Sequence, residues 1–213
     1  MKTSYQKAPL SKSERNSLFV ALLGCGGCLL PLPLLFLNLW PLKFSVPSLL
    51  VPSLLLLAAL GVYTSRINVP AFWAFYSRGF IGGLVGTAAY DLTRLSGLLV
   101  KFTGFEIIHK FGLLITGSSE LTWTAAAVGW AYHFLNGGIF GISFALMVGR
   151  HATVLIGIVW GLLLEIAMII AYPRTFGIDM GWGTVGLAFS LLGHGAYGAT
   201  LGYALRRVAL TVV

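Results

Sequence analysis

Long apolar runs follow one another along this chain, and they limit its fold more than any other feature. A helix of about 20 residues spans the hydrocarbon core of a bilayer, which is about 30 Å thick. Only helices and closed barrels satisfy their backbone polar groups there. The 213 residues are 57% hydrophobic and 9% charged, whereas a soluble domain carries about 25% charged residues. We therefore predict an all-α fold, a polytopic membrane helix bundle.

About six transmembrane helices are predicted in a single membrane-embedded domain, residues 17–213, behind a basic cytoplasmic tail at residues 1–16. The predicted spans are residues 17–40, 47–63, 72–99, 122–149, 152–172 and 183–205. Pro31 and Pro33 predict a kink in the first span, because proline removes a helical hydrogen bond. The second span is short, so an alternative is that the first two form a hairpin that does not cross fully.

Residues 101–117 carry too many charges for a further span. Phe102, Phe105, Ile108 and Phe111 share one face if this segment is helical. An apolar face opposite a charged one is typical of a helix at the membrane surface. We predict an interfacial or re-entrant helix on the outer side.

Lysine and arginine placement predicts the orientation. The formal net charge is +8, and with both termini inside most basic residues fall on the cytoplasmic side, as the positive-inside rule requires. The predicted location is the inner (plasma) membrane or another energy-transducing membrane. The expected partner is the bilayer itself, with anionic lipid on the cytoplasmic side. No nucleic-acid motif accompanies the basic charge, so nucleic acid is not an expected partner.

Four ionisable residues interrupt the apolar runs at similar depth. Counting about 1.5 Å per residue places Asp91, His133, Glu165 and His194 about 17–20 Å from one end of their spans. Charged residues inside a membrane are costly and usually face a protein interior or a water-filled cavity. The candidates for substrate or proton binding are Asp91, Arg94, His133, Asn136, Glu165 and His194. No catalytic residue and no cofactor is assigned.

Asp91 and Arg94 are spaced i, i+3 and can meet on one helix face. One interpretation is that they neutralise each other. The alternative is that Arg94 presents its cation to an anionic head group or substrate while Asp91 holds it in place.

His133, Glu165 and His194 come from three predicted helices and leave several alternatives open. Two imidazoles and a carboxylate are weak candidates for a metal site, can relay protons, or can serve as polar contacts between helices. Two histidines at one depth can also ligate a haem iron. A lone carboxylate in low dielectric must pair or take a proton. We therefore predict Glu165 within hydrogen-bonding reach of one imidazole.

Glycine pairs four residues apart occur in the last four predicted spans. They are Gly82/Gly86, Gly137/Gly141, Gly157/Gly161 and Gly198/Gly202. This spacing lets helix backbones approach closely. The spacing predicts tight packing of helices within the bundle. An alternative is that the Gly-rich faces form contacts in a homo- or hetero-oligomer.

Residues 120–203 resemble an uncharacterised group of small bacterial multi-pass membrane proteins, known as a domain of unknown function. The likeness lies in Glu120, Gly129-Trp130, His133, Gly137, Pro173, His194 and Tyr197-Gly198. It implies a membrane bundle with the two histidines in equivalent places, and it implies no activity.

Three classes of function fit these patterns. The leading hypothesis is a small binding or transport module for protons or for a small polar or lipid-derived solute. The second is a non-catalytic accessory or assembly subunit of a larger membrane complex. The third is an intramembrane lipid-modifying enzyme, with a histidine as base, or a bis-histidine haem protein. An enzyme is the less favoured of these. No nucleotide loop, serine elbow or redox cysteine pair is present, so ATP-driven transport by this chain alone is not expected.

Overall fold

The computed structural model describes residues 12–67, 69–100, 105–176 and 183–211, and every regular element there is helical. The all-α prediction is confirmed. The α-helices are α1 (Lys12–Leu29), α2 (Pro31–Phe36), α3 (Leu42–Ser45), α4 (Val51–Arg66), α5 (Pro70–Ser96), α6 (Glu106–Thr116), α7 (Trp123–Val148), α8 (Val154–Phe176) and α9 (Gly183–Thr211). A π-helical turn, Val46–Leu50, joins α3 to α4, and 3-10 turns follow α5 and α7.

Four helical stretches in the described residues are long and apolar enough to cross a membrane. They are Lys12–Phe36, Leu42–Arg66, Trp123–Val148 and Val154–Ala171. The chain is thus built as a membrane protein. α5 and α9 have 27 and 29 residues but are not among these four stretches. Their crossing of the membrane stays a prediction.

The N-terminal part differs from the prediction in two places. α1 begins at Lys12, so the last residues of the predicted tail are helical, and residues 1–11 lie outside the described residues. The first predicted span is broken at Leu30, between α1 and α2. Pro31 and Pro33 follow directly and cannot donate the backbone hydrogen bonds of a continuous helix. The helix is interrupted where the prolines predict it, and the bend itself stays a prediction.

α5 lies at the centre of the bundle and packs along both α7 and α9. A Cβ atom added at Gly83 would lie 2.9 Å from the Cα of Gly138 on α7. One added at Gly86 would lie 3.0 Å from the carbonyl oxygen of Tyr197 on α9. Because these distances are shorter than real Cβ contacts, only glycine allows the helices to lie this close.

α8 also packs against α9, and glycines again let the two helix backbones approach closely. A Cβ at Gly157 would lie 2.9 Å from the amide nitrogen of Gly202, and one at Gly161 would lie 3.0 Å from the carbonyl carbon of His194. All four predicted glycine pairs contact helices of this same chain, which confirms their packing role. Their use in an oligomer stays a prediction.

α6 and α7 form an antiparallel hairpin. Gly117 ends α6 with φ 71°, a left-handed conformation that glycine adopts without strain, and the Thr122 hydroxyl caps α7 by accepting from the Ala125 amide at 3.1 Å. Gly112 and Gly129 let the two backbones touch. With 11 residues, α6 is too short to span.

The apolar face predicted for this segment is directed at the protein. Ile108 and Phe111 are buried, and Phe105 is partly buried, whereas Phe102 lies outside the described residues. The face therefore packs on the bundle, mainly on α7. This arrangement fits the re-entrant form of the prediction, and its side of the membrane stays a prediction.

Candidate functional site

A cavity of about 90 Å³ lies where α5, α7, α8 and α9 meet, with α2 and α6 closing its wall. A space of about 10–15 Å³ suffices for one water molecule on this measure, so several would fit. All the candidate residues except Asp91 line this space, namely Arg94, His133, Asn136, Glu165 and His194. Asp91 lies behind His133, which it contacts.

Asp91 and His133 join α5 to α7. The His133 Nε2 lies 3.1 Å from each carboxylate oxygen of Asp91. Since both oxygens accept, Nε2 carries the hydrogen. Asp91 itself is 7% exposed, and His133 is the partner of both its side-chain oxygens.

Glu165 and His194 join α8 to α9. The His194 Nδ1 lies 2.8 Å from Glu165 Oε2 and 3.0 Å from the Ser190 carbonyl oxygen. A carbonyl oxygen can only accept, so Nδ1 is the donor and Nε2 is left for other partners. The prediction that Glu165 reaches an imidazole is confirmed. Glu165 is 2% exposed. The contact with His194 offsets the free-energy cost of burying its carboxylate without a partner.

Tyr90 lies between the two carboxylate–imidazole pairs. Its ring is edge-on to His194 at 4.6 Å between centroids and lies 6.0 Å from His133. The Ser190 side chain lies beside both Tyr90 and Glu165. The two pairs are therefore neighbours in one polar cluster that spans four helices.

The expectation that Asp91 neutralises Arg94 is wrong. No carboxylate in the described part of the chain lies within 4 Å of the Arg94 guanidinium. The i, i+3 spacing permits that contact, but Asp91 turns toward His133 on α7, which receives both of its oxygens.

The Arg94 side chain instead packs between aromatic rings. Its guanidinium carbon lies 5.0 Å from the Tyr90 ring centroid and 4.8 Å from that of Phe105. It is 2% exposed and lines the cavity. Arg94 is a buried cation that lacks an ion-pair partner within the described residues.

Asn136 is the second incompletely satisfied group at the cavity. Its side chain is 8% exposed and lies beside Tyr132, and neither its amide oxygen nor the Tyr132 hydroxyl completes a hydrogen bond of good geometry among the described residues. Buried polar groups are normally hydrogen-bonded. Two residues at the cavity wall therefore have polar groups without full partners in the described part of the chain, the Arg94 guanidinium and the Asn136 amide oxygen.

Sequence reasoning missed Tyr90, Ser190 and Tyr197. The Tyr197 hydroxyl donates to the Gly137 carbonyl at 2.8 Å, joining α9 to α7. Ser190 and Tyr197 lie four residues before and three after His194, so they share its helix face. That spacing is the signal that could have found them.

The two imidazoles serve different carboxylates, and this bears on the metal and haem alternatives. Within the described residues, no three histidine, cysteine, aspartate or glutamate side chains are close enough to hold a metal ion. Tyr90 packs against both histidines, so the rings do not face each other across an open gap as bis-histidine ligation of a haem iron would require.

No protein-family model, no curated protein and no solved structure matches this chain. The resemblance of residues 120–203 to a group of unknown function stays an expectation.

Proposed function

We propose that this protein is a small membrane binding or transport module whose cavity takes an anionic group, carried by a polar solute or by a lipid head. The observation that carries the proposal is Arg94, a guanidinium at 2% exposure with no described carboxylate within 4 Å. Six spans, two cytoplasmic termini and an inner-membrane location belong to the same proposal.

The energetics favour a missing anion. Taking an ion out of water costs several kcal/mol in a protein, whereas a cation–π contact contributes about 0.5–2 kcal/mol. The rings of Tyr90 and Phe105 therefore offset only part of the cost of burying Arg94. Carboxylate and phosphate oxygens match the two-pronged donor geometry of a guanidinium, which makes them the expected ligand groups.

Asn136 is a second polar residue at the cavity wall. Its unpartnered amide oxygen is fully buried, so it accepts a hydrogen bond from a ligand only if the side chain turns toward the cavity. The remaining wall is mostly apolar, and includes Leu32, Ile107 and Phe111. A polar solute of a few heavy atoms fits a cavity of about 90 Å³, as does the end of a lipid head group.

The test is ligand-dependent thermal unfolding of the purified protein in a neutral detergent. The probes are acetate, inorganic phosphate and short-chain phosphatidylglycerol, with phosphatidylcholine as the lipid control. Arg94→Gln removes the cation, and Arg78→Gln is the matched control, since Arg78 is exposed on the same helix.

We expect at least one anion to stabilise the wild type and the Arg78 variant but not the Arg94 variant. Stabilisation by acetate or phosphate identifies a soluble ligand class, and stabilisation by phosphatidylglycerol alone identifies a lipid head group. Equal effects on all three proteins, or none on any, would overturn the proposal.

A second candidate function is an accessory subunit in which the polar groups only hold helices together. The two carboxylate–imidazole contacts favour it, because each joins neighbouring helices, α5 to α7 and α8 to α9. Under this alternative, His133→Gln, Glu165→Gln and His194→Gln lower thermal stability. Anions then stabilise neither these variants nor the wild type. Anion binding by the wild type would exclude it as the sole function.

A further inference from the structure

We propose that the occupant of the cavity is an anionic lipid, which enters sideways from the membrane between α7 and α8 and turns its head group toward Arg94. This rests on the proposed function and deepens it, because it selects a lipid over a soluble solute. The lining of the cavity and the arrangement of the helices around it carry the inference.

The cavity has a polar end and an apolar end. The polar end surrounds Tyr90, whose ring contacts both Arg94 and His194, with Ser190 beside it. The apolar end consists of cavity-lining side chains that belong to one hydrophobic cluster, namely Leu32, Ile107, Phe111 and Met168. Arg94 also contacts Phe105, which packs against that cluster, so the guanidinium lies where the two ends meet. A ligand that is charged at one end and apolar at the other matches this lining.

α7 and α8 flank the cavity without packing along each other. Within the described residues, α8 packs along α9 and touches α2, whereas α7 packs along α5 and α6. Rings of α7 and α8 meet at Phe144 and Trp160, 5.8 Å apart, and Trp160 lies about two helical turns before Met168. Beyond that contact the gap is covered by Leu32 of α2, and Leu32 and Met168 are both only half-buried. We call these two residues the mouth of the cavity.

The surface beside the mouth is apolar. On α8, Leu163, Ile166 and Ile170 are each more than half exposed, and this helix is one of those long and apolar enough to cross a membrane. Such a surface faces lipid chains. A soluble anion on this route would lose its water in an apolar phase, which is strongly unfavourable. An anionic lipid keeps its chains in that phase while its head group moves inward.

The position of Arg94 along α5 fits a lipid head group. α5 has 27 residues and ends at Ser96, within one turn of Arg94. Its length is about 40 Å, whereas the hydrocarbon core is about 30 Å thick. In the six-span arrangement of the proposed function, Arg94 therefore lies near one membrane surface, where lipid phosphates are found. The paired N–H donors of a guanidinium match two oxygens of a phosphate.

The experiment compares one head group with and without its chains. Thermal unfolding of the purified protein in a neutral detergent is measured with dioctanoyl phosphatidylglycerol and with glycerol phosphate. Dioctanoyl phosphatidylcholine is the control for the chains alone, and we expect it not to stabilise the protein. We expect phosphatidylglycerol to reach half-maximal stabilisation at a concentration about a hundredfold lower than glycerol phosphate, because its chains hold the head group at high effective concentration beside the mouth.

Variants locate the chains. Met168→Trp fills the apolar end, and Leu163→Trp is the matched control, because Leu163 lies on the exposed side of the same helix. We expect Met168→Trp to remove the advantage of phosphatidylglycerol and to keep the response to glycerol phosphate, whereas Leu163→Trp keeps both. Leu32→Phe narrows the mouth from α2 and carries the same expectation, so it replaces Met168→Trp if that variant does not fold.

The outcomes separate this inference from the proposed function. Equal potency of glycerol phosphate and phosphatidylglycerol, with both effects lost in Arg94→Gln, overturns the lipid site and leaves the proposed function standing. So does an advantage of phosphatidylglycerol that requires Arg94 but persists in the folded mouth variants. No stabilisation of the wild type by any anion, or equal stabilisation of Arg94→Gln, overturns the proposed function and this inference with it.

Discussion

Replacing Gly161 by alanine is expected to separate α8 from α9 and break the Glu165–His194 contact. The added Cβ would lie 3.0 Å from the carbonyl carbon of His194 and closer still to its oxygen. Because that oxygen belongs to the backbone, no side chain can rotate away. The helices must move apart by a distance on the order of 1 Å.

The magnitude follows from what that shift does. Overpacking of this kind costs about 1–3 kcal/mol. The Nδ1–Oε2 distance of 2.8 Å would lengthen beyond a hydrogen bond, and polar contacts between membrane helices contribute about 0.6 kcal/mol on average and about 1.7 at most. We expect the free energy of unfolding to fall by about 2–5 kcal/mol, the sum of these two ranges.

The assay is reversible unfolding in mixed micelles of dodecyl maltoside and SDS, followed by circular dichroism. Gly195→Ala is the matched control, since nothing lies within 4 Å of a Cβ there. Alanine favours a helix over glycine by up to about 1 kcal/mol, so the control should be unchanged or slightly more stable. If Gly161→Ala is as stable as Gly195→Ala, the close contact of α8 with α9 is refuted.

Two further outcomes are expected. Asp91→Asn and His133→Gln should each destabilise the protein, and a double-mutant cycle should give a coupling of about 1 kcal/mol; additive effects would contradict the contact at 3.1 Å. For topology, reporter fusions at Arg150 and at the C-terminus should both report the cytoplasm, and a periplasmic C-terminus would contradict the six-span prediction.

The bounds of α5 and α7 could be predicted to within a few residues because they depend on local properties. The span predicted at residues 122–149 is observed as Trp123–Val148. Apolar run length sets such a helix, and the Thr122 cap and the left-handed Gly149 mark its ends. Proline likewise predicted the break before Pro31, since a missing backbone N–H is a property of the residue itself.

The existence of a polar site could also be predicted, because the cost of burying charge does not depend on the details of the fold. A lone buried carboxylate must pair or take a proton, and Glu165 pairs with His194. The role of the six candidate residues in binding stays a prediction.

Only the tertiary structure decided which groups pair. Sequence spacing favoured Asp91 with Arg94, but Asp91 contacts His133 on another helix, and Arg94 is left facing a cavity. Partner choice depends on which helices are neighbours and how closely they approach. Those distances are set by glycine contacts between helices, such as Gly83 on Gly138. The sequence contains the glycines but does not state what each will touch, because a small residue permits close approach without selecting the helix that makes it.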